Sequence, residues 1–208
     1  MNAEKHRQMV RRTMVWGSRL RFALAFACAA ALPSCSQAIR AGQSPAFLVL
    51  NSLAGSPGNG GSFTSNLLSD VVTLVNGVPT VFNDLGQANI AVQMKDLGGL
   101  APTAANAITI TQYHVKFFRT DGRNTEGLDV PYAFDGAVTA TIQAGGSSAV
   151  SFTLVRNQAK LEAPLRALAQ NFQVISTIAE VTLYGHDQNG REVSVTGRMD
   201  VAFGNFGD

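Results

Sequence analysis

The sequence has few of the residue types on which most catalytic and metal sites depend. Of its 208 residues only two are cysteine and three are histidine, and the single tryptophan is Trp16. Both cysteines, Cys28 and Cys35, are near the N-terminus, so residues 36–208 can form neither a disulfide bond nor a thiolate metal site. A domain without these supports must be stabilised by its hydrophobic core.

Charged residues are also scarce, at 14% of the chain, and they are unevenly distributed. Six of the 16 basic residues precede Cys35, so residues 35–208 carry ten basic and 13 acidic side chains, a net charge of −3. A mildly acidic domain lacks the basic surface that nucleic acids require. We therefore expect no nucleic-acid partner.

The N-terminal apolar run is too short to span a membrane. Residues 22–32 form an uncharged run of 11 residues, whereas a spanning helix needs about 20. Basic residues precede this run, and the combination is typical of a signal peptide. We predict that residues 1–34 are a signal-peptide helix. Translation from Met9 or Met14 would give a more ordinary leader, and the start site stays open.

The end of this segment, Leu32-Pro33-Ser34-Cys35, resembles the lipobox of bacterial lipoproteins. The resemblance implies that Cys35 is lipidated and becomes the mature N-terminus, with residues 35–44 as a tether to the membrane. Ser36 implies sorting to the outer membrane of the bacterial cell envelope. Ordinary cleavage after Ala38, which would give a secreted or periplasmic protein, remains an open alternative.

Residues 45–208 have the pattern of one all-β domain. Strands are predicted over residues 45–50, 70–75, 90–95, 107–119, 136–144, 148–156, 175–186 and 191–203. Turn dipeptides and glycine-rich segments separate these strands. Residues 51–66 are rich in Gly and Ser and predict a flexible loop, because they can bury too little apolar area to offset the entropy of ordering.

Two details concern the connections between strands. Ile108 and Ile110 differ in parity from Tyr113, so if all face the core, one residue near Gln112 must be absorbed in a β-bulge. The sequence Gly145-Gly146-Ser147 predicts a tight hairpin between its flanking strands.

One helical segment is predicted between residues 157 and 171. Leu161, Leu165 and Leu168 recur at helical spacing and would face the core, while Pro164 limits the helix to a turn or two.

Two stretches resemble a known fold family. Residues 108–123, ITITQYHVKFFRTDGR, resemble the third strand of a fibronectin type III domain, and residues 179–194, AEVTLYGHDQNGREVS, are similar to its final hairpin. The resemblance implies an antiparallel immunoglobulin/fibronectin III-like β-sandwich over residues 45–208. The core tryptophan of that family has no counterpart. The chain as a whole is similar to uncharacterised bacterial lipoproteins, which implies no activity.

The residues that could carry catalysis are isolated. After the leader, His114 and His186 remain, each on the predicted solvent face of a strand. A hydrolase would pair one of them with serine and aspartate, but no G-x-S-x-G nucleophile motif is present. We predict a non-enzymatic protein without a cofactor, and a hydrolase is the least supported alternative.

The densest carboxylates lie in one long loop and predict turns rather than a metal site. They are Asp121, Glu126, Asp129 and Asp135. Their spacing matches no calcium-binding loop, and Asp-Gly turns form without an ion. The Asp187-x-Asn189-Gly190 sequence likewise predicts a hairpin turn.

The implied fold indicates where a partner would bind. In a type III-like sandwich the N-terminus shares one end with residues 97–106 and 187–190. Residues 120–136 and 157–171 would then face away from the membrane. The candidate partner-binding residues there are Arg123, Glu126, Asp129, Tyr132, Lys160 and Arg166. The alternative that these loops are only solvated connectors stays open.

The sequence therefore predicts a non-enzymatic, membrane-anchored envelope lipoprotein that serves as a structural or protein-interaction module. The alternative is a secreted carbohydrate- or ligand-binding accessory domain. Because sugar-binding surfaces usually need exposed aromatic rings, and residues 35–208 have three tyrosines and no tryptophan, the first interpretation is favoured.

Overall fold

The computed structural model describes residues 43–96, 98 and 101–207. The predicted signal peptide, Cys35 and nearly all of the predicted tether lie outside the described residues, so those predictions stay predictions.

Ten strands contain just over half of the described residues, which confirms the prediction of an all-β domain. The strands are β1 (Ala46–Ser56), β2 (Asn66–Asp70), β3 (Thr73–Val75), β4 (Val78–Thr80), β5 (Asp84–Met94), β6 (Ile108–Phe118), β7 (Phe134–Ile142), β8 (Ser147–Val155), β9 (Ile175–Asp187) and β10 (Glu192–Gly204). Among the described residues, the helical elements are α1 (Asn157–Leu161) and two 3₁₀ helices, Ala104–Asn106 and Leu165–Gln170.

The strands form two main sheets and one small hairpin. The first sheet has the order β1-β5-β8 and is antiparallel throughout. The second has the order β2-β10-β9-β6-β7, in which only β2 and β10 run parallel. Strands β3 and β4 form a separate hairpin at Asn76-Gly77, where both residues have the positive φ that a type I′ turn requires.

The inner faces of the two sheets contact each other and form one hydrophobic core. The ring of Tyr113 in β6 lies 5.1 Å from that of Phe152 in β8, measured between centroids, and joins the sheets. Phe117 and Phe203, both buried, meet edge to face at 5.4 Å. Burial of each such side chain contributes about 1.5–3 kcal/mol, so the core can stabilise the domain without a disulfide.

The predicted β-bulge in β6 is confirmed. Ile110 pairs with Gly185, and two residues further on Gln112 pairs with Tyr184, so Thr111 is the extra residue opposite β9. The shift lets Ile110 and Tyr113 both face the core. It also brings two backbones close together, because a Cβ atom on Gly185 would lie 2.4 Å from the carbonyl oxygen of Thr109.

The prediction that residues 145–147 join two hairpin strands was wrong. Strand β7 pairs with β6 and β8 pairs with β5, so the turn crosses from one sheet to the other. The Gly145 N–H donates to the carbonyl oxygen of Val92 at 2.7 Å, and the Val92 N–H donates to that of Gly146 at 3.0 Å. These bonds to β5 replace the ladder that a hairpin would have formed.

The predicted loop over residues 51–66 was also wrong in its first part. Residues 51–56 continue β1, since Ser52 pairs with Asn89 and the register holds to Ser56. The connection that remains spans residues 57–65, and its Thr64 exchanges two backbone hydrogen bonds of 2.8 Å with Gly55 of β1. Pairing with β5 uses backbone groups, so the polar composition of residues 51–56 does not prevent it.

The close approach at the bulge leads to a prediction about stability. Replacing Gly185 with alanine is expected to lower the free energy of unfolding by about 1–3 kcal/mol, because the new methyl group clashes with the Thr109 carbonyl. Gly98→Ala is the matched control, since a Cβ atom there meets nothing closer than 3.7 Å. Urea denaturation of both variants measures the difference, and equal stability would contradict the tight contact.

Candidate functional site

The two ends of the sheets carry different parts of the chain. At one end, Arg191 Nη1 donates to the carbonyl oxygen of Gln43 at 3.2 Å, and Lys95 N–H donates to that of Pro45 at 2.8 Å. The described chain therefore begins beside the β9–β10 turn, as the sequence predicted. We call the opposite end, formed by residues 119–133, 156–174 and 205–207, the distal end.

The loop at residues 119–133 has a well-defined hydrogen-bonded conformation. The Arg119 N–H donates to Asn124 Oδ1 at 2.6 Å, and the Thr125 N–H donates to Asp129 Oδ2 at 3.2 Å. The Arg119 guanidinium donates to the Asp121 carboxylate, and Arg123 joins it at 3.2 Å. These bonds, of which those from Arg119 have the largest effect, hold the pKa of Asp121 well below its usual range.

Two open grooves lie side by side at the distal end and share Leu128. The first has a volume of about 510 Å³ and is lined by Arg119, Arg123, Leu128, Asp129, Gln173, Val174 and Ile175. The second has a volume of about 890 Å³ and is lined by Leu128 and by residues of the 161–170 segment, including Arg166. The two loops that the sequence predicted to meet at this end do so around Leu128.

Four apolar side chains at the distal end are exposed. Phe172 is 98% exposed, and Leu128, Leu161 and Val174 are each more than half exposed. Phe172 lies between Gln170, which lines the second groove, and Gln173, which lines the first. Its backbone is held in place because the Gln173 N–H donates to Asn171 Oδ1 at 2.9 Å. We call Leu128, Leu161, Phe172 and Val174 the distal apolar patch.

The structure separates the candidate residues into three groups. Arg123 and Asp129 line the first groove, and Arg166 lines the second, so these three surround the patch. Tyr132 is 51% exposed, and its ring fills the space beside Gly127 that a side chain would occupy. Glu126 is exposed and lines neither groove.

Lys160 is the exception, because it does not reach the surface. Its side chain is 2% exposed, and its ammonium group lies 2.8 Å from the buried carboxylate of Asp84. Asp84 also accepts hydrogen bonds from Ser69 Oγ at 2.5 Å and from the Gly58 N–H at 3.1 Å. The prediction of Lys160 as a partner-binding residue was therefore wrong, since this lysine joins α1 to the start of β5.

The sequence also misplaced Leu161. We expected it in the core with Leu165 and Leu168, which are buried, but it is 56% exposed. The reason is that α1 ends at Leu161 and the chain starts a new 3₁₀ helix at Leu165, so one helical period does not connect them. Apolar residues among polar neighbours, such as Phe172 between Asn171 and Gln173, were the available signal for the patch.

The isolated histidines bind neighbouring groups within their own sheet. His114 Nδ1 lies 2.9 Å from Asp135 Oδ1 across the β6–β7 pair, and His186 Nδ1 lies 3.0 Å from the carbonyl oxygen of Asp187. Asp187 Oδ1 accepts the N–H groups of Asn189 and Arg191 at 2.9 Å, as a hairpin turn of this kind requires. Each of these three side chains, His114, His186 and Asp187, therefore has a hydrogen-bond partner that the local sheet or turn structure supplies.

In residues 43–96, 98 and 101–207, no three His, Cys, Asp or Glu side chains are grouped so that they could hold a metal ion. Over the same residues, no helix combines the length and apolar character needed to cross a membrane.

Comparison with known proteins adds no assignment. No family model matches the chain, and no curated protein is significantly similar to it. The function must therefore be inferred from the geometry.

The Lys160–Asp84 pair leads to a prediction. Replacing Lys160 with methionine is expected to cost about 3–5 kcal/mol of unfolding free energy, because it leaves the buried Asp84 charge without its counter-ion. Arg166→Met, at the exposed groove, is the control and should cost little. Urea denaturation at neutral pH measures both, and a stable Lys160→Met variant would contradict the role of this pair.

Proposed function

We propose that the chain is a non-enzymatic protein-binding module of the bacterial cell envelope, anchored by a lipid at Cys35. Its partner would bind at the distal end. The observation that carries this proposal is the distal apolar patch, in which Phe172 exposes 98% of its surface. Leu128 lines both grooves, with Val174 in the first and Leu161 in the second, and Phe172 lies between the groove-lining residues Gln170 and Gln173 in sequence. Apolar residues exposed near one another on a folded domain often mark a protein-binding site.

The composition of the surface supports a protein partner. Binding sites of this class combine aromatic and aliphatic anchors with arginine, and a few such residues carry most of the binding energy. Arg123 and Arg166 flank the patch on its two sides. The loop bonds around Asp121 and Asn171 fix the backbone before a partner arrives, which lowers the entropy cost of binding.

The position of the N-terminus supports display of this end away from a membrane. Gln43 lies at the opposite end of the sheets, and the 13-residue strand β9 spans about 40 Å between the two ends. An anchor at Cys35 would be eight residues from Gln43, so the distal apolar patch would face outward.

We also infer that the domain is immunoglobulin/fibronectin III-like. Support comes from the strand order, in which β1-β5-β8 face β10-β9-β6-β7. The first three would correspond to strands A, B and E of that fold, and the other four to G, F, C and C′. The crossing from β7 to β8 between sheets agrees with this order.

The partner site can be tested with matched phenylalanine variants. Full-length protein is cross-linked in its host and isolated from membranes, and the co-purifying proteins are quantified by mass spectrometry. Phe172→Ser is expected to reduce recovery of the specific partner at least about tenfold, as loss of a central anchor does. Phe47→Ser, which removes an exposed ring at the start of β1, should leave recovery unchanged. Equal recovery with both variants would overturn the proposal.

The anchor is tested separately by labelling cells with an alkyne fatty acid. Wild-type protein and Cys28→Ser are expected to carry the label, and Cys35→Ser is expected to lose it, because only the lipobox cysteine would be acylated. An unlabelled wild-type protein with a new N-terminus at Ile39 would instead favour the secreted alternative.

A further inference from the structure

Strand β8 ends the three-stranded sheet and has a free side. Val92 of β5 bonds to the turn just before β8, so the even-numbered residues of β5 direct their backbone groups toward β8. Ser148, Val150 and Phe152 are their pairing partners. Because backbone directions alternate along an antiparallel strand, the N–H and C=O groups of the odd-numbered residues 147–153 point out of the sheet.

The other described edge strands have features that discourage further pairing, whereas residues 147–153 of β8 have none. Such features include short length, charge, proline and bulges. Strand β1 is bulged at Asn51. Strand β7 is also irregular, because two of its residues, between Ala137 and Ala140, lie opposite the single residue Thr111 of β6, and it carries the charged Asp135. Strands β2, β3 and β4 have five residues or fewer. In contrast, β8 keeps an unbroken register from Ser147 to Thr153, and its register shifts only at Leu154, near its end. Residues 136–155 contain no charge.

We propose that β8 pairs antiparallel with β8 of a second copy of this chain, so that two three-stranded sheets become one six-stranded sheet. With the two-fold axis at Val150, Ala149 of one copy lies opposite Ser151 of the other, and Ser147 lies opposite Thr153. Each of these opposed pairs consists of residues whose backbone groups point out of the sheet. All of the free hydrogen-bonding groups from 147 to 153 are then used.

The side chains of β8 favour its own sequence as the partner. Its outer face has only the small, uncharged residues Ser147, Ala149, Ser151 and Thr153, so self-pairing brings no like charges together and causes no steric conflict. A second copy would also cover Val138 and Ala140. These inward-facing residues of the neighbouring edge strand β7 are only half-buried, whereas Val115 and Val181 of the interior strands are fully buried.

Cysteine cross-linking tests the contact in the full-length protein. Membranes that contain Ser151→Cys are treated with a short bis-maleimide, and a covalent dimer is expected. Ser176→Cys on the exposed face of β9 is the matched control, and it should give no more dimer than wild-type protein. Adding Ala149→Lys to Ser151→Cys should reduce the yield of dimer, since the two lysines then lie diagonally across the paired strands on the same face and their charges repel. Equal cross-linking of Ser151→Cys and Ser176→Cys would overturn the proposal.

Hydrogen exchange on the wild-type protein gives an answer that needs no substitution. The amides of Ala149, Ser151 and Thr153 should exchange more slowly as the protein concentration rises, while those of β7 do not change. Exchange that is independent of concentration would overturn the proposal. Protection that appears only when another protein is bound would show that a different chain occupies the edge. The partner site at the distal end is not involved, so the two proposals can fail independently.

Discussion

The arrangement of the distal end depends on one buried charge pair. Asp84 begins β5 and is fully enclosed, so its charge would be costly without compensation. Lys160, Ser69 and the Gly58 N–H supply that compensation from three distant parts of the chain. Lys160 thereby attaches α1 to the sheet, and the segment that follows α1 carries Arg166 and Phe172. The geometry of the distal apolar patch is in this sense set by an interaction beneath it.

Much of the fold was predictable because burial on one side of a sheet imposes a period of two. Strands β9 and β10 were predicted within one residue of their observed bounds, and the parity change between Ile110 and Tyr113 was enough to predict a bulge. What could not be predicted was which strands are neighbours. The turn at Gly145 reverses the chain whether β8 then pairs with β7 or joins the other sheet. The hydrogen bonds of this turn to Val92, more than 50 residues earlier, place β8 in the other sheet. Similarly, the polar composition after Asn51 did not predict that β1 continues to Ser56, because the pairing of these residues with β5 uses backbone groups rather than side chains.

The candidate site was predictable in location but less so in composition. The resemblance to a type III-like sandwich implied which loops share an end, and Arg123, Asp129 and Arg166 do lie around one surface. Charge was a poor guide to exposure, because Lys160 has its counter-ion 76 positions away in sequence. Helical spacing predicted that Leu161 faces the core, yet Leu161 is at the surface, and so is Leu128. A single sequence does not distinguish a buried from an exposed leucine when no periodic element surrounds it.

The parallel pairing of β2 with β10 has a consequence for how the chain folds. Strand β10 lies between β2 and β9, and it is the last of the ten strands to emerge during synthesis. Until it is present, β2 has no neighbour in its sheet, and the core residues Val201 and Phe203 are missing. Contacts across more than 130 residues fold slowly, because a long loop must close before any energy is gained. The sheet is therefore completed only once β10 is in place, and before that point the partly folded chain exposes strand edges that need protection from aggregation.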